Sequence, residues 1–318
     1  MEGRTSAGRA AIWLGLAGVY VGWGTTYLAN HYALEAFPAF IMNGIRNLIA
    51  GLILYGFQRR RGARAPNAAM WKSALVVGFF MLCCGSGINV WAQGITFSGI
   101  ASLLIGSTPL WMALLDIIIS RRAKTPGPNR IAVLGIILGF VGIVLLVGPG
   151  HIMGAGVMVS PLGAAALLTG SFFWAAGSLK SRGAVFPPSR VLGSAMQMIA
   201  GGLCLIITGV LIGEPAEFSV RQVSPSAVLG FVYLVFIGSL FTFSVYTWLL
   251  GVAPTPLVAT YAYVNPVVAV ILGAIILNEP VSLRLVVASA MILAAVAVVT
   301  LSTTVKSRPS SQSRPDSK

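Results

Sequence analysis

Charged side chains are scarce in this sequence, and their scarcity excludes an ordinary soluble domain. Only 9 % of the 318 residues are Asp, Glu, Lys or Arg and 57 % are hydrophobic, whereas soluble domains carry about 25 % charged residues. Long stretches contain none of the four charged types, and a further stretch, 36–58, contains only Arg46. The charge-free stretches are 10–34, 73–115, 131–179, 191–213, 222–278 and 285–305. Such a chain is typical of a membrane protein.

Several catalytic and metal-binding patterns are also absent, and each absence narrows the function. The sequence has no GxxxxGK[ST] loop, which excludes an ATP-driven pump encoded in this chain, and it has no HExxH or GxSxG motif. Its two histidines and three cysteines include no CxxC pair or other metal-ligand spacing. We therefore expect no cofactor and no metal.

The charge-free stretches divide into ten predicted membrane spans. A bilayer core about 30 Å thick is crossed by about 20 apolar residues in a helix, so the three longest stretches hold two spans each. Each of these three contains a break with Gly or Pro, at 96–99, 148–161 and 251–256. In chain order, spans 1 to 10 are predicted at 10–30, 37–57, 72–93, 99–120, 130–148, 161–179, 190–212, 227–250, 257–277 and 283–302. The predicted fold class is an all-α membrane protein.

The basic residues indicate which side of the membrane each loop occupies. When loops are assigned alternately to the two sides, 18 of the 21 Lys and Arg residues fall on the side of both termini. The other side has only Arg221 and Arg284, and Arg46 lies within span 2. Because cytoplasmic loops carry the excess of Lys and Arg, both termini are predicted in the cytoplasm. The net charge of +14 thus reflects topology and the lipid surface, and nucleic acid is not an expected partner.

The sequence repeats itself, which predicts two halves of five spans each. The Trp-x-x-Gly segments 91–94 and 248–251 match at an offset of 157, and the same offset aligns Thr108-Pro109 with Asn265-Pro266. Because five is odd, the second half would cross the membrane in the opposite orientation, as in carriers that bind substrate between inverted repeats. A second block, 23–51, matches 174–201. We therefore predict a first repeat at 1–150 and an inverted second repeat at 151–302. A disordered cytoplasmic tail is predicted at 303–318.

Four short segments resemble a known transporter family. WGTTYL at 23–28, GIRNL at 44–48, YAYVNPV at 261–267 and LNEP at 277–280, with the two-times-five pattern, resemble the EamA family of the drug/metabolite transporter superfamily. The resemblance covers residues 10–302 and, within the family, points to exporters of the bacterial inner membrane. It implies a ten-helix carrier with a central cavity that exports small metabolites such as amino acids or their derivatives. One position departs from the family pattern, because Arg122 stands where many members carry a second glutamate matching Glu279.

Arg46 is the charged residue that the loops do not explain. It lies near the middle of span 2, where an arginine costs about 2.5–3.5 kcal/mol on insertion scales, so it is expected to face protein or a water-filled cavity. Two interpretations stay open. Arg46 either anchors a substrate carboxylate or binds helix carbonyls in a structural role.

Other polar and aromatic residues within the spans are candidates for the substrate site or for gating. We expect the two Xaa-Pro pairs to form matched, cavity-lining hinges, because interrupted spans in corresponding halves point to a site; simple kinks are the alternative. Packing and membrane-interface roles stay open for the aromatic residues. The predicted substrate-binding residues are Arg46, Asn89, Gln93, Thr108, Trp174, Tyr246, Tyr261 and Asn265, and the predicted gating or structural residues are Trp23, Pro109, Pro266 and Glu279.

Two acidic residues near span ends receive structural interpretations. Asp116 lies about one turn from Arg121 and Arg122, so an ion pair at the cytoplasmic interface is favoured over proton coupling. Glu279 precedes Pro280 at the start of span 10, where a carboxylate suits the positive N-terminus of a helix. We therefore expect Glu279 to cap span 10.

The favoured function is secondary export of a small metabolite by alternating access. Two other classes stay open: an intramembrane enzyme, which would need a convergent catalytic constellation, and a non-transporting sensor or subunit. The expected partners are a small-molecule substrate and the lipid bilayer. The glycine pairs Gly18/Gly22 and Gly135/Gly139 have the spacing of close helix contacts, formed either within the chain or in a homodimer.

The predicted topology can be tested with reporter fusions. Green fluorescent protein fused after residue 318 should fluoresce and alkaline phosphatase fused there should be inactive, because that end is predicted in the cytoplasm. The same two reporters fused after residue 222 should give the reverse result. Phosphatase activity at residue 318 would contradict the assignment of both termini to the cytoplasm.

Overall fold

The described part of the chain is helical. In a computed structural model, residues 8–122, 130–147, 160–253, 255–258 and 260–304 are described, and within these ranges no residue belongs to a β-strand. Of the tail predicted at 303–318, residues 303 and 304 are the end of a helix, and the remainder, 305–318, lies outside the described residues. The all-α prediction is confirmed for the part of the chain that the structure describes.

Eight of the described helical stretches are long and apolar enough to cross a membrane, and they coincide with predicted spans 2 to 8 and 10. The protein is therefore a multi-pass membrane protein. Span 1 divides at Thr25, and the main helix of span 9 has only 16 residues, so the count of ten stays a prediction at these two segments. The helices are Arg9–Gly24 and Thr26–Leu34 (span 1), Ala39–Arg60 (2), Ala68–Gln93 (3), Ser98–Gly106 and Thr108–Arg122 (4), Arg130–Val147 (5), Pro161–Ser181 (6), Arg190–Leu211 (7), Pro225–Val252 (8), Thr255–Val258 and Tyr261–Ile276 (9), and Leu283–Thr304 (10).

Local sequence explains where several of these helices begin. Ser160 and Ser224 each accept a hydrogen bond from the backbone N–H three residues later, at 3.2 and 3.1 Å, and each is followed by proline at the first helical position. Ser189 and Asn67 cap spans 7 and 3 in the same way. These caps satisfy N–H groups that have no partner within the helix.

The helices pack in a ring that alternates between the two halves of the chain. Each span packs against the next in the order 1, 8, 2, 7, 3, 6, 4, 9 and back to 1, while spans 5 and 10 pack on each other beside span 4. Every adjacent pair in this order joins a helix of the first half to a helix of the second. The two halves are therefore interleaved in the structure.

Close approach between spans depends on glycines that face another helix. A Cβ built on Gly44 of span 2 would lie 2.9 Å from the carbonyl oxygen of Gly202 in span 7, and one on Gly135 of span 5 would lie 2.9 Å from Val299 in span 10. Gly18 faces Phe241 of span 8. The small-residue pairs singled out in the sequence are thus used for packing within the chain.

The outer surface of the bundle is apolar. On span 5, Leu134, Ile137 and Val144 are 66 %, 55 % and 69 % exposed. A shallow concavity of about 510 Å³ lies at the start of span 8. Its lining is mainly apolar and includes Val228 and Leu229. Such faces fit lipid chains.

The contact between spans 2 and 7 can be tested at two glycines of the same helix. Gly44→Val would place methyl groups against Ile206 and Gly202, and overpacking of this kind costs about 1–3 kcal/mol. Gly56→Val is the matched control, since a Cβ at Gly56 meets nothing within 4 Å. Thermal denaturation in detergent should show a lower midpoint for Gly44→Val alone. Equal midpoints for the two variants would contradict the contact.

Candidate functional site

Arg46 is held by a polar network at the contact between spans 2 and 3. It lies two turns into the helix Ala39–Arg60, about 10 Å below its start. Arg46 Nε donates to Asn43 Oδ1 at 3.0 Å, and Asn43 Nδ2 donates to Ser86 Oγ at 3.0 Å. Asn47 Nδ2 donates to the same Asn43 Oδ1 at 3.0 Å. The network fixes one side of the guanidinium.

The rest of the Arg46 guanidinium has no acidic partner in the described part of the chain. The ion pairs among the described residues are His31–Glu35 at 3.9 Å and Arg182–Asp116 at 3.5 Å. Arg46 is half-buried in a predicted span, and a charge at membrane depth is costly unless it is paired or hydrated. The side chain is therefore suited to receive an anion.

Asp116 forms the interfacial ion pair that its position predicted, but with Arg182. Its side chain is 43 % exposed and that of Arg182 is 62 % exposed, so the pair lies near the surface and adds little stability. Arg182 follows span 6 and is far from Asp116 in the sequence. The side chains of Arg121 and Arg122, the expected partners, lie outside the described residues.

Three predicted site residues come together as an aromatic cluster. The ring centroids of Trp23 lie 5.0 Å from those of both Tyr246 and Tyr261, which are 5.6 Å apart. Trp23 Nε1 donates to Gly238 O at 3.1 Å. Spans 1, 8 and 9 thus present one aromatic surface, and such contacts are worth about 0.5–1.5 kcal/mol beyond burial.

Asn265 lies one turn after Tyr261 and supports this cluster. With its amide oriented to satisfy both neighbours, its nitrogen donates to Tyr20 O at 3.3 Å and to Tyr261 O at 3.2 Å. Asn265 is 7 % exposed. The structure therefore gives this residue a backbone-binding role between spans 1 and 9.

Asn89 and Gln93 connect helices. Asn30 Nδ2 donates to Gln93 Oε1 at 3.0 Å, and Gln93 Nε2 donates to Asn89 O at 3.1 Å. Asn89 faces span 6, where a Cβ built on Gly170 would lie 2.7 Å from its Cγ. The Asn30–Gln93 bond thus joins spans 1 and 3, the Asn89 side chain packs against span 6, and Asn30 is a residue that the sequence did not indicate.

The two matched prolines differ in their effect on the helix. Span 4 is interrupted at Ser107, and Thr108 Oγ1 donates to Ile105 O at 2.6 Å, the carbonyl for which Pro109 has no N–H. The helix Tyr261–Ile276 continues through Pro266. Span 4 is thus divided just before Thr108-Pro109, whereas span 9 is divided before Tyr261, ahead of Asn265-Pro266. The Thr108 hydroxyl satisfies the Ile105 carbonyl oxygen. The role of the two pairs as cavity-lining hinges stays a prediction.

Two segments of π-helix occupy corresponding spans. They are Phe79–Gly87 in span 3 and Leu234–Phe241 in span 8, and each contains a Gly-Ser pair, at 85–86 and 238–239. Ser86 belongs to the Arg46 network and Gly238 O accepts from Trp23. Segments of this kind occur frequently at functional sites. The Gly-Ser pairs were the available signal, because such pairs mark irregular helices.

Trp174 occupies the position in span 6 that corresponds to Trp23 in span 1. Its backbone packs against Gly85, where an added Cβ would lie 3.2 Å from the Trp174 Cα. Gly85 belongs to the Gly-Ser pair of one π-segment, and Gly238, the partner of Trp23, belongs to that of the other. In both halves a tryptophan therefore meets the glycine of a π-segment, although Trp174 belongs to the contact between spans 3 and 6 and not to the aromatic cluster.

Glu279 caps a different helix from the one expected. Its Oε1 accepts from Ser98 N at 2.6 Å and its Oε2 from Gly99 N at 3.0 Å, so it binds the start of span 4 and not span 10. Glu214, which the sequence did not indicate, binds the start of span 2 in the same way, accepting from Phe40 N at 2.9 Å and Ile41 N at 2.8 Å. Carboxylates at these positions complement the positive ends of helices.

Comparison with known proteins agrees with this architecture. The model of the EamA-like transporter family matches residues 9–148 and again 161–301, so the predicted duplication coincides with two family domains. A solved crystal structure superposes with a TM-score of 0.60 and covers 95 % of this chain and 100 % of that one. Its sequence is 21 % identical, so it supports the fold alone.

Relatives from bacteria and plants align over most of the chain. The uncharacterized inner membrane transporter YedA of Escherichia coli (strain K12) is 31 % identical over 90 % of this chain and 89 % of its own length. The chloroplastic WAT1-related protein At3g02690 of Arabidopsis thaliana is 26 % identical over 90 % of this chain and 69 % of its own length. The uncharacterized transporter YvbV of Bacillus subtilis (strain 168) is 23 % identical over 89 % of this chain and 90 % of its own length. Because the family model matches both halves and YedA aligns along nearly the whole chain, the protein belongs to the EamA-like transporter family.

Proposed function

We propose that this protein is a secondary transporter that exports small organic carboxylates, such as amino acids or their derivatives, across the bacterial inner membrane by alternating access. Membership of the EamA drug/metabolite transporters gives the general function. The observation that carries the substrate class is Arg46, a half-buried cation with no acidic partner among the described residues. The two oxygens of a carboxylate match the paired N–H groups of a guanidinium, and amino acids and their derivatives carry this group.

The aromatic cluster supports an amphipathic substrate. Span 2, which carries Arg46, packs against span 8, and span 8 carries Tyr246 beside Trp23. A charged group and an aromatic surface on neighbouring helices suit a molecule with a carboxylate at one end and an apolar body. Sites for small molecules generally combine a few polar groups with such apolar walls.

The transporter is proposed to work in the export direction on family grounds. The E. coli relative is named as an inner membrane transporter, and the excess of basic residues predicts that both termini face the cytoplasm. Alternating access is supported by the duplicated, interleaved architecture, since carriers built from repeats bind substrate between them.

Arg46 can be tested by ligand-induced stabilisation of the purified protein. A screen of amino acids and 2-oxo acids, each beside its amide, should identify carboxylates that raise the melting midpoint. Arg46→Gln should weaken their binding by about 10- to 100-fold, because a hydrogen bond to a charged group contributes about 1.5–3 kcal/mol. Arg46→Lys should recover only part of the affinity, since lysine lacks the planar fork.

The matched control is Arg221→Gln, which removes an exposed arginine outside the predicted spans. Flux of the radiolabelled hit should be measured in proteoliposomes, and the transported compound should be recovered unchanged. Recovery of a modified compound would favour the enzyme alternative, and binding without flux would favour a sensor. Equal carboxylate affinity in Arg46→Gln and the native protein would overturn the proposed substrate class.

A further inference from the structure

We propose that Asn43 is the positioning residue that aims the Arg46 guanidinium, an inference that rests on the proposed function. Asn43 is 0 % exposed, and all of its side-chain hydrogen bonds lie within the network of spans 2 and 3. Its oxygen accepts from Arg46 Nε and Asn47 Nδ2, and its nitrogen donates to Ser86 Oγ. Arginine has donors only and an amide has one acceptor atom, so this is the amide orientation that satisfies every member.

The consequence lies on the other side of the guanidinium. Asn43 already binds Nε of Arg46. A carboxylate would therefore bind the two terminal nitrogens of the Arg46 guanidinium, at the end of the side chain. Ser86 belongs to the π-segment of span 3, so Asn43 also connects the arginine to an irregular helix. A change of shape in that segment would therefore turn the anion-binding group.

A double-mutant cycle tests this role. Asn43→Ala should raise the dissociation constant of the best carboxylate from the screen by about tenfold, the effect of losing one well-made hydrogen bond to a charged group. In an Arg46→Gln background the same change should have no further effect, since Asn43 acts through Arg46. Ser86→Ala should give a smaller loss that also disappears in that background.

The cycle separates the two proposals. If Arg46→Gln weakens carboxylate binding while Asn43→Ala leaves it unchanged, or weakens it equally in both backgrounds, the positioning role is wrong and the substrate class stands. If Arg46→Gln has no effect, the substrate class itself is wrong. Where Asn43→Ala does not fold, Asn43→Ser keeps a small polar side chain and gives the same comparison.

A second inference stands on other residues and does not depend on the substrate: we infer that Glu279 is a latch that keeps the predicted external end of the ring closed. Glu214 and Glu279 share a local design. Each follows a residue in the left-handed region, Gly213 at φ 88° and Asn278 at φ 52°. Each also lies against a glycine of the preceding helix, where a Cβ would come within 2.7 and 2.5 Å of the carboxylate.

The two carboxylates differ in the helix pairs that they join. Spans 2 and 7, joined by Glu214, pack along their length from Gly209 beside Ile41 to Ser189, which donates to Gln58 at 3.2 Å. Span 9 packs on the outer segment of span 4, Ser98–Gly106, down to the contact of Gly106 with Pro266. Beyond Ser107, span 4 turns to spans 5 and 6, with Trp111 beside Phe140 and Phe172 at 5.1 and 5.6 Å. Glu279 therefore joins spans 4 and 9, which pack on each other at one end only. Glu214 joins spans 2 and 7, which pack on each other along their whole length.

On the opposite face, no carboxylate in the described part of the chain binds the start of a helix; Asp116 there pairs with Arg182, and both side chains are exposed to solvent. At the position that matches Glu279 the chain has Arg122, and the end of span 2 meets span 7 through the neutral Gln58–Ser189 bond. A charge-assisted bond is stronger than a neutral one. The carboxylate thus favours the state closed on the Glu279 side.

Cysteine accessibility tests the latch without any substrate. Cys83, Cys84 and Cys204 are first replaced by Ala, and Ser102→Cys, a buried position on the outer segment of span 4, is introduced as the reporter. In intact cells, a membrane-impermeant maleimide should label the Glu279→Gln variant about tenfold faster than the same reporter protein with Glu279 in place. This is the effect expected for losing a charge-assisted hydrogen bond. Glu214→Gln and Glu217→Gln should label at the native rate; Glu217 is exposed in the same loop as Glu214.

A second variant keeps the test decisive if Glu279→Gln does not fold. Gly273→Ala leaves the charge in place but puts a methyl group against the carboxylate, so it should also speed labelling, while Gly56→Ala should not. Native labelling rates in both latch variants, with protein correctly inserted, would overturn the inference. Equal acceleration by Glu214→Gln would also overturn it, because the difference in packing would then have no effect.

Discussion

The structure depends on one constraint: within a membrane, every polar backbone group must find a partner in the protein, because lipid offers none. Several irregular places in the bundle show side chains that bind backbone groups. Thr108 binds the carbonyl that Pro109 leaves open, and Thr25 Oγ1 binds Val21 O at the break in span 1. N–H groups at the start of spans 2 and 4 are satisfied by the carboxylates of Glu214, which follows span 7, and Glu279, which follows span 9. Arg46 stands out because its charge is met only by a neutral amide among the described residues.

Interleaving of the halves decides what can move. Since neighbours around the ring come from different halves, a repeat that rocked as a separate body would disturb the contacts between all neighbours in the ring. Mobile units must combine spans of both halves, such as the pair 2 and 7, which stays packed along its length. Contacts confined to one end, such as that between spans 4 and 9, are where such units can separate.

Sequence reasoning succeeded where the signal is local and failed where it is not. Spans 2 to 8 and 10, the duplication and the family followed from charge-free stretches and short motifs, because hydropathy and repeats are written along the chain. The partner of Glu279 is 181 residues away in Ser98, and that of Asn43 lies on another span. No spacing rule links such pairs, so Glu214, Asn30 and Ser86 went unnoticed. Tyr246 and Tyr261 were predicted to bind substrate and Trp23 to act in gating or structure, and only the packing shows that the three rings meet.

The two repeats are similar in how their helices pack but differ in the polar residues that they carry at corresponding positions. Trp23 and Trp174 meet equivalent π-segments, and spans 2 and 7 pair as spans 5 and 10 do. Yet the positions in the second half that correspond to Arg46 are Met196 and Gln197, and Met196 is fully buried. In the predicted inverted arrangement, a perfectly symmetric carrier would have equal energies when open to either side. In the proposed carrier, Arg46 in one half and the helix-binding carboxylates Glu214 and Glu279 at one end remove that equality, so we expect these residues to influence both substrate binding and which side of the ring rests closed.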